Sequence, residues 1–222
     1  MFATAPLRIV AVSAGLSQPS STRLLADRLA AATRERLTAE RDGDDREVEV
    51  RVIELRDLAV DIANHLVSGF PPAALREAID AVTEADGLIA VTPVFTASYS
   101  GLFKSFFDLI DHTALTGKPV VIAATGGTAR HSLVLEHALR PLFAYLRAVT
   151  VPTSVYAASE DWGSSGDEYT EGLPSRIRRA GGELASAVLG RTVSGASRAL
   201  SLDDGADAVV PFEQQLADLR LD

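Results

Sequence analysis

The chain has 222 residues, 47% of them hydrophobic, which is enough for one well-buried α/β domain and short for two. Its formal net charge of −9 argues against nucleic acid as a partner, because backbone phosphates require clustered Lys and Arg, and instead favours solubility. The absence of cysteine excludes disulfides, thiolate nucleophiles, cysteine-ligated zinc and iron–sulfur clusters, and fits a reducing cytoplasm.

Met1–Pro6 carry no basic leader and the apolar run that follows is too short for a bilayer, so neither secretion nor a membrane span is expected. Leu7–Val12 reads as a buried strand, followed by a hydroxyl-rich loop and a helix over Ser21–Glu40 with Leu24, Leu25, Leu29 and Ala32 at three- and four-residue spacing. The charged stretch Glu40–Glu47 reads as a solvated turn. Strands then follow at Val48–Ile53, Gly87–Val91, Pro119–Ala124 and Val149–Tyr156. The helices between and after them cover Pro71–Ala85, Gly101–His112, His131–Ala148 and Gly172–Leu189. Residues 1–190 form the expected domain and 191–222 a tail. Arg191–Ala208 is small and polar, hence extended or mobile, and Val209–Leu219 regains apolar residues able to dock.

Alternating strands and helices of these lengths predict an α/β fold, a three-layer, doubly wound parallel five-stranded sheet of flavodoxin-like order 2-1-3-4-5. Near-continuous apolar strands such as Val120-Val-Ile-Ala-Ala124 predict burial on both faces. Ligands of such folds sit at the carboxyl ends of the strands, which directs attention to the loops after strands one, three and four.

The first loop, Ser13-Ala-Gly-Leu-Ser-Gln-Pro-Ser-Ser-Thr22, places Ser17, Ser20, Ser21 and Thr22 before a helix, with Ser13 at the strand end. One N-cap needs one hydroxyl, and the surplus suits an anion at the helix N-terminus. No Gly-Lys-Ser/Thr follows and Gly15 stands alone, so neither a Walker loop nor a dinucleotide fingerprint is present. In the second loop, Thr92-Pro-Val-Phe-Thr-Ala-Ser-Tyr-Ser-Gly-Leu-Phe-Lys104, Pro93 is expected to end the strand's hydrogen bonding, and Phe95 and Tyr99 could pack on a flat heterocycle or simply cover the sheet edge. In the third, Ala124-Thr-Gly-Gly-Thr-Ala-Arg-His131, the glycine pair permits close backbone approach to a ligand, or just a tight turn.

Together these three segments resemble the FMN-contacting stretches of the NADPH-dependent FMN reductases, over about Leu7 to Ala148. The Pro93-Val-Phe-Thr-Ala-Ser-Tyr-Ser-Gly101 segment, the Thr125–His131 segment and Ala138-Leu-Arg-Pro-Leu142 are similar to the members that supply reduced flavin to luciferase-like and alkanesulfonate monooxygenases. The resemblance implies an oxidoreductase using FMN and NADPH. Ser13, Ser20, Ser21 and Thr22 would hold the phosphate, Pro93, Val94, Phe95, Thr96, Ser98 and Tyr99 would border the isoalloxazine, and Thr125, Gly126 and Gly127 would meet its other edge. It also implies a homodimer or homotetramer through helices such as Gly101–His112, and a flavin-dependent monooxygenase as partner. Many relatives carry an arginine in the phosphate loop, whereas here none precedes Arg23; dipole and N–H donors would then hold FMN loosely enough for it to leave as product.

Hydride transfer to a flavin needs no side-chain acid or base, so no catalytic residue and no metal ligand is assigned. His137 follows Glu136 without a third ligand at suitable spacing. His131 could border the flavin or make a local hydrogen bond. Arg130 and Arg140 could read the 2′-phosphate of NADPH or be ordinary surface arginines, and Trp162 could cover the site or fill an interface. The alternatives are a quinone, azo or metal-ion reductase with tightly held FMN, and a flavodoxin-type electron carrier. A phosphoacceptor domain lacks its acids at the strand ends, and a serine hydrolase lacks its Gly-x-Ser-x-Gly elbow.

Overall fold

The computed structural model describes residues 5–39, 46–163 and 172–195. Strand β1 spans Leu7–Ser13, helix α1 Ser21–Ala39 and β2 Val48–Glu54. A 3₁₀ turn at Leu55–Leu58 leads into α2, Ala59–Ser68, which the sequence reading did not anticipate; α3 covers Ala73–Glu84. Strand β3 spans Gly87–Phe95, β4 Ser98–Tyr99, α4 Gly101–Phe107 and β5 Pro119–Gly126. A 3₁₀ turn at Ala129–His131 and a π-helical turn at Leu135–Leu139 precede α5, Arg140–Tyr145, then β6 at Val149–Thr150 and β7 at Val155–Ala158. After a 3₁₀ turn at Ser159–Gly163, α6 runs Leu173–Gly195.

The order β2-β1-β3-β5-β6 is parallel throughout, and β7 also pairs with β5 in parallel. The doubly wound flavodoxin-like arrangement is therefore present, its fifth strand split into β6 and β7 around Pro152, which has no N–H to donate to a ladder. Strand residues alternate between two cores. Val10, Val12, Leu88, Ala90, Val120 and Ile122 face α3, α4 and α5, whereas Ile9, Ala11, Ile89, Val91, Val121 and Ala123 face α1 and α6. Such two-sided burial, about 1.5–3 kcal/mol for each large apolar side chain, explains the continuous apolar runs.

Pro93 does not end β3, contrary to the expectation. The Val91 carbonyl accepts from the Ala14 N–H, so two residues later the Pro93 nitrogen faces the same side, beyond the end of β1 at Ser13, where no donor is needed. The strand continues to Phe95 and turns through Thr96 and Ala97 into β4, pairing Val94 with Tyr99 and Phe95 with Ser98. Thr96 (φ 48°) and Ala97 (φ 68°) both occupy the left-handed region, as a type I′ hairpin turn demands.

Helix α4 stops at Phe107 rather than His112, and the expected single helix over His131–Ala148 breaks into its 3₁₀, π and α segments. Helix α6 extends to Gly195, into the stretch expected as a tail; residues 196–222, with Val209–Leu219, lie outside the described residues.

Candidate functional site

At the carboxyl ends of β1, β3, β5 and β7 a cleft of about 330 Å³ is lined by the loop Gly15–Thr22, by Pro93, Val94 and Phe95, by Thr125, Gly126 and Gly127, and by Ser159. The lining of this cleft includes no titratable side chain. The polar groups it presents are Ser and Thr hydroxyls and main-chain N–H and C=O, which suit binding and orienting a molecule.

Its floor is the N-terminus of α1. Ser20 caps the helix, its hydroxyl accepting from the Arg23 N–H at 3.2 Å. Thr22, 2% exposed, shares a 2.8 Å hydrogen bond with the Thr125 hydroxyl at the end of β5. Ser13 is fully buried and its hydroxyl finds no partner among the described residues. A Cβ on Gly15 would lie 2.0 Å from the Ser20 hydroxyl, so a side chain there would push that hydroxyl out of its capping position.

Neither arginine near the loop is unpaired. Arg23 bonds Asp27 and Glu54, each at 2.8 Å, and Arg56, from the turn after β2, bonds Glu54 at 3.1 Å and donates to the Ser17 carbonyl at 3.1 Å. Arg56 thus braces the loop's backbone with its charge already matched by a carboxylate.

On the far side, Tyr156 from β7 donates its hydroxyl to the Thr128 carbonyl at 2.8 Å beneath the glycine turn. Burial, with the nearby Asp161 adding to it, pushes the phenol above its ordinary pKa, so it stays a donor across the neutral range. Asp161 accepts from the Ala158 N–H at 2.8 Å and pairs with Arg176 at 3.1 Å, and Arg176 also donates to the Tyr156 carbonyl at 2.7 Å.

A profile of the NADPH-dependent FMN reductases matches residues 7–163. The chain is 42% identical over 192 residues to an FMN reductase (NADPH) of Pseudomonas aeruginosa, across 85% of this chain and 96% of that protein. Similarity to the NADH-dependent FMN reductase SfnF of Pseudomonas fluorescens is also 42%, over 79% of this chain and 88% of that one. The crystal structure of an oxidoreductase from Corynebacterium diphtheriae superposes with a TM-score of 0.77 at 46% identity, covering 83% of this chain and 98% of its own. The chain belongs to the NADPH-dependent FMN reductase family.

Of the residues expected to meet FMN in this reductase, Ser20, Ser21, Thr22, Pro93, Val94, Phe95, Thr125, Gly126 and Gly127 share the cleft. Ser13, fully buried at the end of β1, and Thr96 and Ser98, on the hairpin, all fall outside the lining. Tyr99 lines a different groove, beside Phe107, His137 and Tyr145. Leu16 and Ser159 line the cleft without having been expected to. Ser159 follows the last strand, and the rule that pointed to the other strand ends could have found it.

The cleft of this reductase fits a flavin mononucleotide. The N-terminus of the 19-residue helix α1, with the hydroxyls of Ser17, Ser20, Ser21 and Thr22 in the lining and an orphaned Ser13 hydroxyl buried just behind it at the end of β1, suits a phosphate. An uncharged wall of Pro93, Val94, Phe95 and two glycines suits a planar ring. Trp162 does not reach into the lining; it stacks on Arg28 of α1 with the guanidinium 5.2 Å from the ring centre.

Proposed function

We propose that this reductase transfers hydride from NADPH or NADH to FMN and yields the reduced flavin to a flavin-dependent monooxygenase. The supporting observation is the uncharged cleft: a phosphate-type loop joined to an apolar wall with no titratable side chain leaves the chemistry to a flavin. FMN supplies the hydride-accepting ring. The chain's own part is to bind, orient and shield. The amides at the start of α1, with Ser13, Ser20, Ser21 and Thr22, hold the phosphate; Pro93–Phe95 and the backbone of Thr125–Gly127 flank the ring. Thr96, Ser98 and Tyr99 set the shape of the hairpin that carries this wall. Leu16 and Phe95, each about half exposed (54% and 47%), offer apolar lips against which a nicotinamide can lie.

With Arg23 and Arg56 both committed to carboxylates, the phosphate is held by dipole and hydrogen bonds alone, which favours FMN as a departing product over a permanent prosthetic group. A second copy of the chain is proposed to cover the groove of about 720 Å³ between α4 and α5, where Tyr145 is 73% exposed. No helix among the described residues is long and apolar enough to cross a membrane, and the cysteine-free composition suits the cytoplasm.

Steady-state NADPH oxidation with FMN, FAD, riboflavin or a quinone as acceptor tests the reading. Free FMN should raise the rate above that with quinone. A rate highest with quinone would favour the reductase with fixed FMN, and no oxidation of NADPH at all would favour the electron carrier.

A further inference from the structure

We propose that Tyr156 is a positioning residue for the flavin ring, holding the Gly126–Thr128 turn from beneath so that its backbone faces the cleft at a fixed height. The inference rests on the FMN reading and concerns a residue outside the cleft's lining.

The geometry is specific to the hydroxyl. A Cβ placed on Gly126 would lie 2.1 Å from the Tyr156 oxygen and 3.1 Å from the ring carbon that bears it. Gly126 has no left-handed φ, so its lack of a side chain is demanded by the tyrosine and not by the backbone. The same hydroxyl donates to the Thr128 carbonyl at 2.8 Å, and so touches the turn on both sides of Gly127, which together with Gly126 lines the cleft. Opposite, Thr125 is tied to Thr22 at 2.8 Å. The turn is therefore fastened at both ends, once to the phosphate loop and once to β7.

Tyr156 is itself held firmly. It is 4% exposed, its carbonyl accepts from Arg176, and Arg176 is paired with Asp161, which in turn binds the Ala158 N–H. A buried donor whose partner is a loop carbonyl, and whose position forces glycine on that loop, fixes the height of the turn in the way a supporting shell fixes a binding group. Without the hydroxyl, the Thr128 carbonyl loses its partner and the turn is free to shift toward or away from the ring.

The test compares Tyr156→Phe, Gly126→Ala and the double variant with the full-length wild type, by flavin fluorescence quenching and by thermal melting without flavin. Tyr156→Phe should raise the Kd for FMN and for riboflavin by the same factor, about tenfold, and alter the absorption band of bound flavin. Gly126→Ala should bind worse still, and the double variant should recover part of that loss because the added methyl no longer meets an oxygen. Affinities of Tyr156→Phe within about twofold of wild type for both flavins would overturn the proposal. So would a loss confined to FMN, no recovery in the double variant, or affinity that merely follows melting temperature across the three variants. A wild type that binds neither flavin would instead overturn the FMN reading on which it rests.

Discussion

The hydroxyls of Thr22 and Thr125, 103 residues apart in sequence, meet at 2.8 Å in the floor of the cleft. This bond joins the first turn of α1 to the end of β5, and so ties the phosphate loop to the glycine turn across β3. One threonine comes from each of two loops read separately in the sequence, and the sheet register brings them together.

Thr22→Val and Thr125→Val should each weaken FMN binding by about five- to tenfold, as loss of one buried hydrogen bond of about 1 kcal/mol implies. Because they break the same bond, the double variant should bind about as well as either single one. Fluorescence titration decides it: multiplied single effects would mean that each hydroxyl acts on the flavin alone.

Gly127 has an ordinary φ, and a Cβ there would meet nothing within 4 Å. Protein packing gives no reason for glycine, and since Gly127 lines the cleft, the proposed reading assigns that space to the flavin. Gly127→Ala should leave the stability of the flavin-free protein unchanged or raise it by up to about 1 kcal/mol, yet weaken FMN at least about tenfold. Melting curves with and without FMN would show both effects, and an alanine variant with full flavin affinity would contradict the assignment.

An uncharged cleft also predicts a flat pH profile. At saturating flavin and nicotinamide, kcat should vary by less than about twofold between about pH 6 and pH 9, since no lining side chain titrates there. A bell-shaped profile would show that a general acid or base acts from outside the lining.

Glu136 illustrates acid sensitivity elsewhere in the chain. Its carboxyl is held below the ordinary value chiefly by the hydrogen bond from Arg140, with Ser154 helping. A lowered folded pKa means stability present above the unfolded value, near 4.5, and lost as pH falls through the folded one. The pair is partly exposed, so its worth is under about 1 kcal/mol. Urea unfolding should show Glu136→Gln destabilised by that amount at neutral pH, the deficit shrinking as pH falls below the ordinary glutamate value; an equal deficit at neutral and acid pH would mean the loss is not electrostatic.

The two arginines considered for the 2′-phosphate of NADPH are now distinguishable. Arg140 is committed to Glu136 and to the Thr150 hydroxyl at 2.7 Å, whereas Arg130, exposed just beyond the glycine turn, has no ion pair among the described residues. Arg130→Ala should raise the KM for NADPH about fivefold or more and leave that for NADH unchanged. Arg140→Ala should lower the melting temperature without altering the NADPH-to-NADH ratio. The reverse pattern in steady-state kinetics would transfer the role to Arg140.

Much of this was legible in the sequence. Continuous apolar strands announced two-sided burial, and the loops at Ser13–Thr22, Pro93–Tyr99 and Thr125–Gly127 announced where the cleft would be, because strand ends in this architecture are all on one side, although Thr96, Ser98 and Tyr99 fall outside its lining. What escaped reading had local causes. Helix α2 buries only Ile62 among its residues, and α3 alone already supplies the crossover that the β2-to-β3 connection needs. Pro93 looked like a strand end because which neighbour a strand residue faces depends on register, and register is not local. Arg56 and Tyr156 stayed invisible for the same reason: each acts on a loop far away in sequence, one through the Ser17 carbonyl and one through that of Thr128.

The β3–β4 hairpin makes the mouth of the cleft separable from its floor. Phe95, Thr96, Ala97 and Ser98 project past the last strand pairing of the parallel sheet, while Thr92, fully buried, anchors the hairpin's return by accepting from the Ser100 N–H. Changes confined to residues 95–98 can thus re-cut the opening without repacking either core or touching the phosphate loop. The fold therefore offers a rim that can be recut while the cradle beneath it stays the same.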